Sequence, residues 1–339
     1  MDIGARRVFR LSLTTAITLA LAYSLNMNLP YMAPLFAFML AAPPKPPVGL
    51  KGLLGLLLVL AIILSVGLLL TPILQEYPST GLMLVLVGLF IANYVSLNLG
   101  KGSVGTFMVV GIAMISMIGQ VSSALAAALI AELLVSVALG IVTLWVVYPL
   151  FPEDDGPAPQ PPPPAALQTS WFAARATLIV FPAFMLGLTN PTAYTPIVMK
   201  SAALGQQVTD TAAKAAGREL LGSTFLAGLF AILFWFGLKL HPTLWMFFLW
   251  TLAFAVFCTA KFYGVLPSRY APTFWLNVFV TLLILVGPAV ADSANGKDVY
   301  AAFFVRLGLF IGVTLYAWLA LAFLDWLRNR HTYRRGATP

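Results

Sequence analysis

The stretch Asn28-Leu29-Pro30-Tyr31-Met32-Ala33-Pro34 interrupts an apolar run that would otherwise predict a single membrane helix. Far downstream, Asn190-Pro191-Thr192-Ala193-Tyr194-Thr195-Pro196 presents Asn, Pro, Tyr and Pro in the same order. Proline lacks the N–H that a helix needs and clashes with the preceding turn, so a helix cannot run unbent through either cluster. A matched pair of interrupted hydrophobic segments is the best indication of a transport site that a sequence offers.

The two breaks supply the first candidate binding residues. Irregular backbone at membrane depth is tolerated only where protein or water satisfies its polar groups, so the breaks are expected to face something polar. The alternative is a pair of tight extracellular turns, for which Asn and Pro are ordinary residues. The candidates for substrate binding at the breaks are Asn28, Pro30, Tyr31, Pro34, Asn190, Pro191, Tyr194 and Pro196.

Composition places the chain in the membrane. Of its 339 residues, 60% are hydrophobic and 9% are charged, and the mean hydropathy is +0.94. A soluble domain carries about 25% charged residues, so this chain predicts a polytopic α-helical membrane protein. The single cysteine, Cys258, and the two distant histidines argue against a disulfide framework and against a Cys- or His-based metal site. No grouping of nucleophile, base and metal ligands predicts an enzyme, and no cofactor is expected.

Twelve hydrophobic segments are predicted along the chain. Several approach the ~20 residues that cross a bilayer, while the second and eighth are short. The predicted segments are 9–26, 31–42, 50–71, 81–97, 104–119, 123–149, 171–189, 193–205, 219–238, 243–262, 271–290 and 299–325.

The distribution of basic residues predicts the orientation of these segments. With a cytoplasmic N-terminus, sixteen Lys and Arg residues fall on the inside and only Lys239 and Lys297 fall outside. Such a bias is typical of the positive-inside rule and predicts that both termini are cytoplasmic. It also accounts for the net charge of +8, so nucleic-acid binding is not needed to explain that charge.

The two halves of the chain repeat a series of positions. Matching residues are separated by 162 to 167 positions and occur in the same order in each half. The matching positions are Arg10 with Arg175, Pro34 with Pro196, Lys51 and Gly55 with Arg218 and Gly222, and Thr106-Phe107 with Thr273-Phe274. Six segments in each half, an even number, predict parallel repeats related by an axis along the membrane normal.

Four regions follow from this pattern. Residues 1–150 are predicted to form a first six-helix membrane repeat and residues 170–327 a second one. Between them, residues 151–169 form an acidic, proline-rich segment that predicts an extended, semi-rigid cytoplasmic linker. Residues 328–339 form a basic cytoplasmic tail.

Two ionisable residues, Glu132 and Arg306, are predicted to lie within membrane segments rather than at their ends. A charge at the centre of a membrane helix costs roughly 2.5–3.5 kcal/mol, so neither side chain is expected to face lipid. Arg306 is a candidate for substrate binding and Glu132 for proton coupling, both within reach of the two breaks. The alternatives are a Glu132–Arg306 ion pair that only fixes helix packing and an Arg306 that extends to the membrane interface.

The chain resembles the fusaric acid resistance and aromatic acid exporter superfamily. In that family each repeat begins with a basic residue, followed by a proline-containing turn and a basic residue before a glycine-bearing helix. The corresponding residues are Arg10, Pro30 to Pro34 and Lys51 with Gly55 in the first half, and Arg175, Pro191 to Pro196 and Arg218 with Gly222 in the second. The short 151–169 linker departs from the large cytoplasmic domain that full-length members carry there, and indicates a compact bacterial branch.

The resemblance implies a function and partners. It implies an exporter of small aromatic or other organic acids in the bacterial inner membrane, driven by the proton gradient. Its implied partners are a periplasmic membrane-fusion adaptor, an outer-membrane channel and further copies of the chain in a homo-oligomer. Two alternatives stay open: a passive organic-anion channel, and a non-transporting membrane scaffold of an envelope complex.

Overall fold

The computed structural model describes residues 2–98, 102–154, 169–207, 213–294, 296 and 298–335, and every regular element in these ranges is helical. Thirteen α-helices are joined by one π-helix, Val110–Ile115, and one 3-10 turn, Tyr148–Leu150. The α-helices are α1 (Ile3–Ser24), α2 (Met32–Ala41), α3 (Leu50–Glu76), α4 (Pro78–Asn98), α5 (Gly102–Val109), α6 (Ser116–Gly119), α7 (Ser123–Val147), α8 (Thr169–Thr189), α9 (Pro191–Gln207), α10 (Ala213–Leu240), α11 (Leu244–Phe262), α12 (Pro272–Ala294) and α13 (Val299–Arg335).

Each hydrophobic segment predicted from the sequence is helical over most of its length. The fifth segment consists of α5, the π-helix and α6, which follow one another without a gap. In the described part of the chain, eight helices are long and apolar enough to cross a membrane: α3, α4, α7, α8, α10, α11, α12 and α13. The protein is therefore a multi-pass helical membrane protein. The helix α2 and the segment Val104–Gly119 are apolar but shorter.

The chain divides into two compact units that do not coincide with its two sequence halves. Unit 1 comprises residues 1–65, 124–163 and 223–307. Unit 2 comprises residues 66–123, 164–222 and 308–339. Each unit therefore takes helices from both halves.

In unit 1, α12 forms the centre. The apolar stretch of α12 is 83% buried, far more than that of the other long helices. Helix α1 packs against α2 and α11, and α12 packs against α11 and α2. A Cβ placed on Gly287 of α12 would overlap the side chain of Tyr31, so glycine is what lets the residue before α2 approach α12 this closely.

In unit 2, α4 packs against α5 and α8, and α8 packs against α9. The π-helix is buried along its whole length. A hydrogen bond of 3.2 Å from the Asn93 amide to the Thr177 hydroxyl joins α4 to α8. Beside it, Ile179, Leu204, Leu220 and Ala317 form an apolar cluster. The buried amide of Asn93 and the buried hydroxyl of Thr177 thus satisfy each other, as burial requires.

Candidate functional site

The first break begins with a well-defined helix end. Asn26 adopts a left-handed conformation, with φ of 52°. Its N–H donates to the carbonyl of Tyr23 at 3.1 Å, and the N–H of Met27 donates to the carbonyl of Ala22 at 3.3 Å. These two hydrogen bonds form a Schellman motif, which ends a helix and satisfies its last carbonyls. Asparagine takes the position that glycine usually occupies, because its short polar side chain tolerates this conformation.

A carboxylate from α7 binds the backbone of this break. Glu132 Oε1 accepts a hydrogen bond of 2.6 Å from the N–H of Leu29. Glu132 Oε2 accepts from the side-chain amide of Asn28 at 3.4 Å. The predicted coupling residue and the predicted break therefore form one structure. Within the irregular backbone at residues 25–30, the N–H of Leu29 is therefore satisfied by a side chain from another helix.

The second part of the break is buried. Pro30, Tyr31 and Pro34 are all buried, and Pro34 lies in the first turn of α2, where a helix tolerates proline because no N–H is needed. The phenol of Tyr31 lies within electrostatic range of Arg306, Glu132 and Asp292. Three ionisable side chains are thus close enough to one buried tyrosine to interact with it electrostatically.

Arg306 pairs with Asp292 and not with Glu132. The guanidinium Nη2 of Arg306, on α13, donates to Asp292 Oδ2, on α12, and the two side chains are only 16% and 10% exposed. The Glu132–Arg306 ion pair that depth alone permits is therefore wrong, because Glu132 binds the backbone of the break. Asp292 was missed, since it lies two residues beyond the predicted end of its segment at 290.

A chamber of about 630 Å³ opens next to this group of residues. Tyr23 and Phe247 stand on its wall, with ring centroids 5.0 Å apart at an interplanar angle of 74°. Phe247 also borders a void of only about 10 Å³ that touches Tyr31. The chamber is lined by Tyr23, Trp235, Leu238, Lys239, Pro242, Thr243, Leu244, Phe247, Val290 and Ser293. In this conformation the space beside Tyr31 is too small for a ligand.

The second break, in unit 2, is much tighter. Only Asn190 separates α8 from α9, and its Oδ1 accepts a hydrogen bond of 3.3 Å from the N–H of Ala193. Asn190 is therefore an N-cap, and Pro191 occupies the first helical position, which favours proline. Tyr194 is half-buried and Pro196 is buried within α9. The proximity of the two breaks stays a prediction, because they lie in different units.

The basic residues that match between the halves have similar surroundings where they begin each half. Arg10 is 1% exposed and Arg175 is 5% exposed. Each guanidinium lies over an aromatic ring, that of Tyr148 at 5.3 Å and that of Phe172 at 5.6 Å. Lys51 is exposed, and the side chain of Arg218 lies outside the described residues.

The start of the linker is bound to α1. Arg10 Nη2 donates to Glu153 Oε2 at 2.7 Å, and Arg7 Nε donates to Glu153 Oε1 at 2.6 Å. Arg6 Nη2 donates to Asp154 Oδ1 at 2.7 Å. Burial opposes ionisation of Glu153, but the hydrogen bonds from Arg7 and Arg10 outweigh it and lower the pKa of this carboxyl. Residues 155–168 of the linker lie outside the described residues.

Replacing Glu153 by glutamine is expected to lower the free energy of unfolding by about 3 kcal/mol at pH 7, since it leaves the buried Arg10 charge without its anion. Because the folded-state pKa of Glu153 is depressed, its contribution is complete above the unfolded pKa of about 4.3 and is lost as the pH falls through the folded pKa. Thermal unfolding in detergent at several pH values measures both effects.

Asp154→Asn is the matched control for Glu153→Gln. Asp154 is 60% exposed and pairs with Arg6, so its loss is expected to cost below about 1 kcal/mol. The prediction would be contradicted if both variants lost the same free energy of unfolding. It would also be contradicted if the loss of stability in Glu153→Gln relative to wild type did not become smaller in acid.

The comparisons with known proteins are few. A family model described as a protein of unknown function, DUF2955, matches residues 7–147. The matched segment runs from α1 to the last residue of α7. No curated protein and no solved structure matches the chain. Among the described residues, no group of three or more His, Cys, Asp or Glu side chains is placed to hold a metal ion.

Proposed function

We propose that the protein is a secondary transporter that exports small aromatic or other organic acids across the bacterial inner membrane. The observation that carries this proposal is the break between α1 and α2, whose backbone is bound by Glu132 beside Tyr31 and the Arg306–Asp292 pair. Interrupted helices and ionisable side chains within a membrane protein are costly, and they mark substrate and ion pathways. A scaffold does not need them.

The charges around Tyr31 support a division of roles. When all three are ionised, Glu132, Asp292 and Arg306 sum to a charge of −1. Asp292 balances Arg306, so Glu132 is the carboxylate that no arginine of this group neutralises. We assign proton coupling to Glu132, and recognition of the substrate carboxylate to Arg306 after it leaves Asp292.

The chamber supports the substrate class. Its volume of about 630 Å³ lies in the range of roughly 300–1,000 Å³ that is typical of small-molecule sites. Tyr23, Trp235 and Phe247 supply aromatic walls, and Thr243 and Ser293 supply hydroxyl groups. This lining suits a small planar organic acid on its way past the Tyr23–Phe247 pair.

The proposal includes twelve membrane segments in two parallel six-helix repeats. Helix pairing supports it: α1 packs against α2 and α11, and the corresponding α8 packs against α9 and α4. Likewise, α11 packs against α12 and α4 against α5. Each pair in unit 1 has its counterpart in unit 2, which is the pattern that a duplication predicts. The family match also covers the first proposed repeat.

Orientation and partners complete the proposal. The excess of basic residues in the inside loops supports cytoplasmic termini. By the resemblance to aromatic acid exporters, the transporter works as a homo-oligomer with a periplasmic adaptor protein and an outer-membrane channel.

Transport measurements on inverted membrane vesicles test the function. Benzoate is expected to accumulate inside the vesicles against its gradient, and a protonophore is expected to abolish the accumulation. Benzoate flux that only follows the benzoate gradient would show that the protein is a passive anion channel and not an exporter. If neither benzoate nor any other small organic acid crosses the membrane, the result would favour the non-transporting membrane scaffold.

In the same assay, Glu132→Gln is expected to lose uphill accumulation and to keep downhill flux. The glutamine Oε1 can still accept a hydrogen bond from the Leu29 N–H, so the break is expected to keep its fold. Unlike a carboxylate, however, an amide cannot bind and release a proton near neutral pH. The matched control is Glu76→Gln, which neutralises an exposed carboxylate at the end of α3. Full uphill accumulation by Glu132→Gln would show that coupling resides elsewhere.

A further inference from the structure

An apolar cleft of about 290 Å³ lies between the C-terminal end of α10 and the beginning of α13 in unit 1. The side chains that form it are Ile232, Trp235 and Phe236 from α10, and Tyr300, Phe303 and Phe304 from α13. Its lining is almost entirely carbon. The lining of the cleft offers no polar partner to the carboxylate of an organic acid, but it offers apolar surface on which an alkyl chain can pack.

The cleft opens sideways from the unit. Phe236 is 56% exposed and Phe304 is 59% exposed, and both belong to helices that are apolar enough to cross a membrane. In a bilayer these rings face lipid, so the cleft is entered from the hydrocarbon region and not from water. Its occupant therefore comes from the membrane.

A cation stands at the polar edge of the cleft. Lys239, in the last turn of α10, donates a hydrogen bond of 3.1 Å to the hydroxyl of Tyr300. The indole N–H of Trp235 lies near the same hydroxyl but makes no hydrogen bond of standard geometry in the described part of the chain. Two donors thus gather where the apolar cleft meets the chamber.

The position of Lys239 is unusual for this chain. Only Lys239 and Lys297 fall on the outside, against sixteen basic residues inside, so a cation here opposes the bias that orients the helices. A lysine at such a position suits an anionic headgroup, while the apolar side chains of the cleft beside it suit an acyl chain.

We propose that this cleft binds an anionic phospholipid of the outer leaflet, with one acyl chain between α10 and α13 and its phosphate on Lys239. The phosphate accepts a hydrogen bond from the ammonium of Lys239, which is exposed beside the hydroxyl of Tyr300. The acyl chain packs on Phe236, Phe303 and Phe304. The proposal rests on the proposed orientation of the helices, but it does not depend on what the protein transports.

Native mass spectrometry of the purified full chain tests the site, with phosphatidylglycerol and phosphatidylcholine as probes. Wild type is expected to retain one phosphatidylglycerol with at least about tenfold preference over phosphatidylcholine, equivalent to about 1.4 kcal/mol. Lys239→Gln is expected to reduce the preference to about one, and Lys239→Arg to preserve it. Ile232→Trp, which fills the cleft, is expected to weaken retention of both lipids.

The control is Lys297→Gln, which removes the other outside lysine and is expected to leave the preference unchanged. Size-exclusion profiles and thermal unfolding establish that each variant is folded. Equal retention of both lipids by wild type, or an unchanged preference in Lys239→Gln, would overturn the proposal. Displacement of the lipid by benzoate would also overturn it, because the cation would then belong to the path of a soluble anion.

Discussion

Replacing Arg306 by alanine is expected to abolish export while the protein still reaches the membrane. Under the proposed function, this change removes the cation that binds the substrate carboxylate. Loss of one partner from such a hydrogen-bonded charge pair costs about 2–5 kcal/mol, which corresponds to at least about 30-fold weaker substrate binding. The measurement is benzoate accumulation in inverted vesicles, normalised to the amount of folded protein.

Asp292 makes the control for this experiment possible. Arg306→Ala removes the cation that pairs with Asp292, and loss of one member of a buried ion pair destabilises the fold by itself. The double variant Arg306→Ala/Asp292→Ala removes both charges, so it is expected to regain stability and remain inactive. Wild-type export by the double variant would show that the pair only holds α12 against α13. If neither variant yields folded protein, Arg306 is needed for the fold, and this result would also contradict a role in substrate binding alone.

Separating the chain within its linker is expected to produce two halves that fold only together. Residues 1–160 expressed alone lack α11, against which α1 packs, and residues 161–339 alone lack α4, against which α8 packs. Each half then exposes apolar surface that both units bury by combining helices from the two halves. Co-purification from cells that express one half or both, followed by size exclusion, measures the effect.

A single contact in unit 1 makes this experiment specific. The hydroxyls of Ser12 on α1 and Thr259 on α11 lie 3.0 Å apart and are fully buried. Thr259→Trp in the second half is expected to prevent its co-purification with the first, because no space exists for the indole. Phe257→Trp changes a side chain that is 40% exposed on the same helix, and the two halves are expected to co-purify as in wild type. A monodisperse, helical half on its own would refute the prediction.

Local signals in the sequence predicted the helices well. Hydrophobic runs indicated the positions of the helices. The pair Asn190-Pro191 is a helix-start signal, and α9 begins at Pro191, two residues before the predicted start of its segment at 193. The π-helix at Val110–Ile115 could not be predicted, because a shift from i−4 to i−5 hydrogen bonding leaves an apolar run unchanged. Nor could the composition of the units, because the choice of helix partners is made by side chains far apart in sequence.

The candidate site was predicted in its parts but not in its connections. Glu132 and the Asn28–Pro34 break were each identified, yet their hydrogen bond joins residues 103 positions apart, which no local pattern indicates. Arg306 was identified because a charge inside an apolar run is rare. Its partner Asp292 was not identified, because acidic residues are common near helix ends and do not by themselves indicate a site.

The exchange of helices between the two halves has an evolutionary consequence. A gene for six helices alone would encode a chain whose first two helices need the fourth and fifth helices of another copy. Such a chain would be functional only as a pair of identical subunits with their helices exchanged. Under the proposed duplication, fusion of two such genes through a short proline-rich connection turned an obligate dimer into one polypeptide. After that event the two copies could diverge, and Glu132 with its extended break became a property of one copy while the other kept a single capping asparagine.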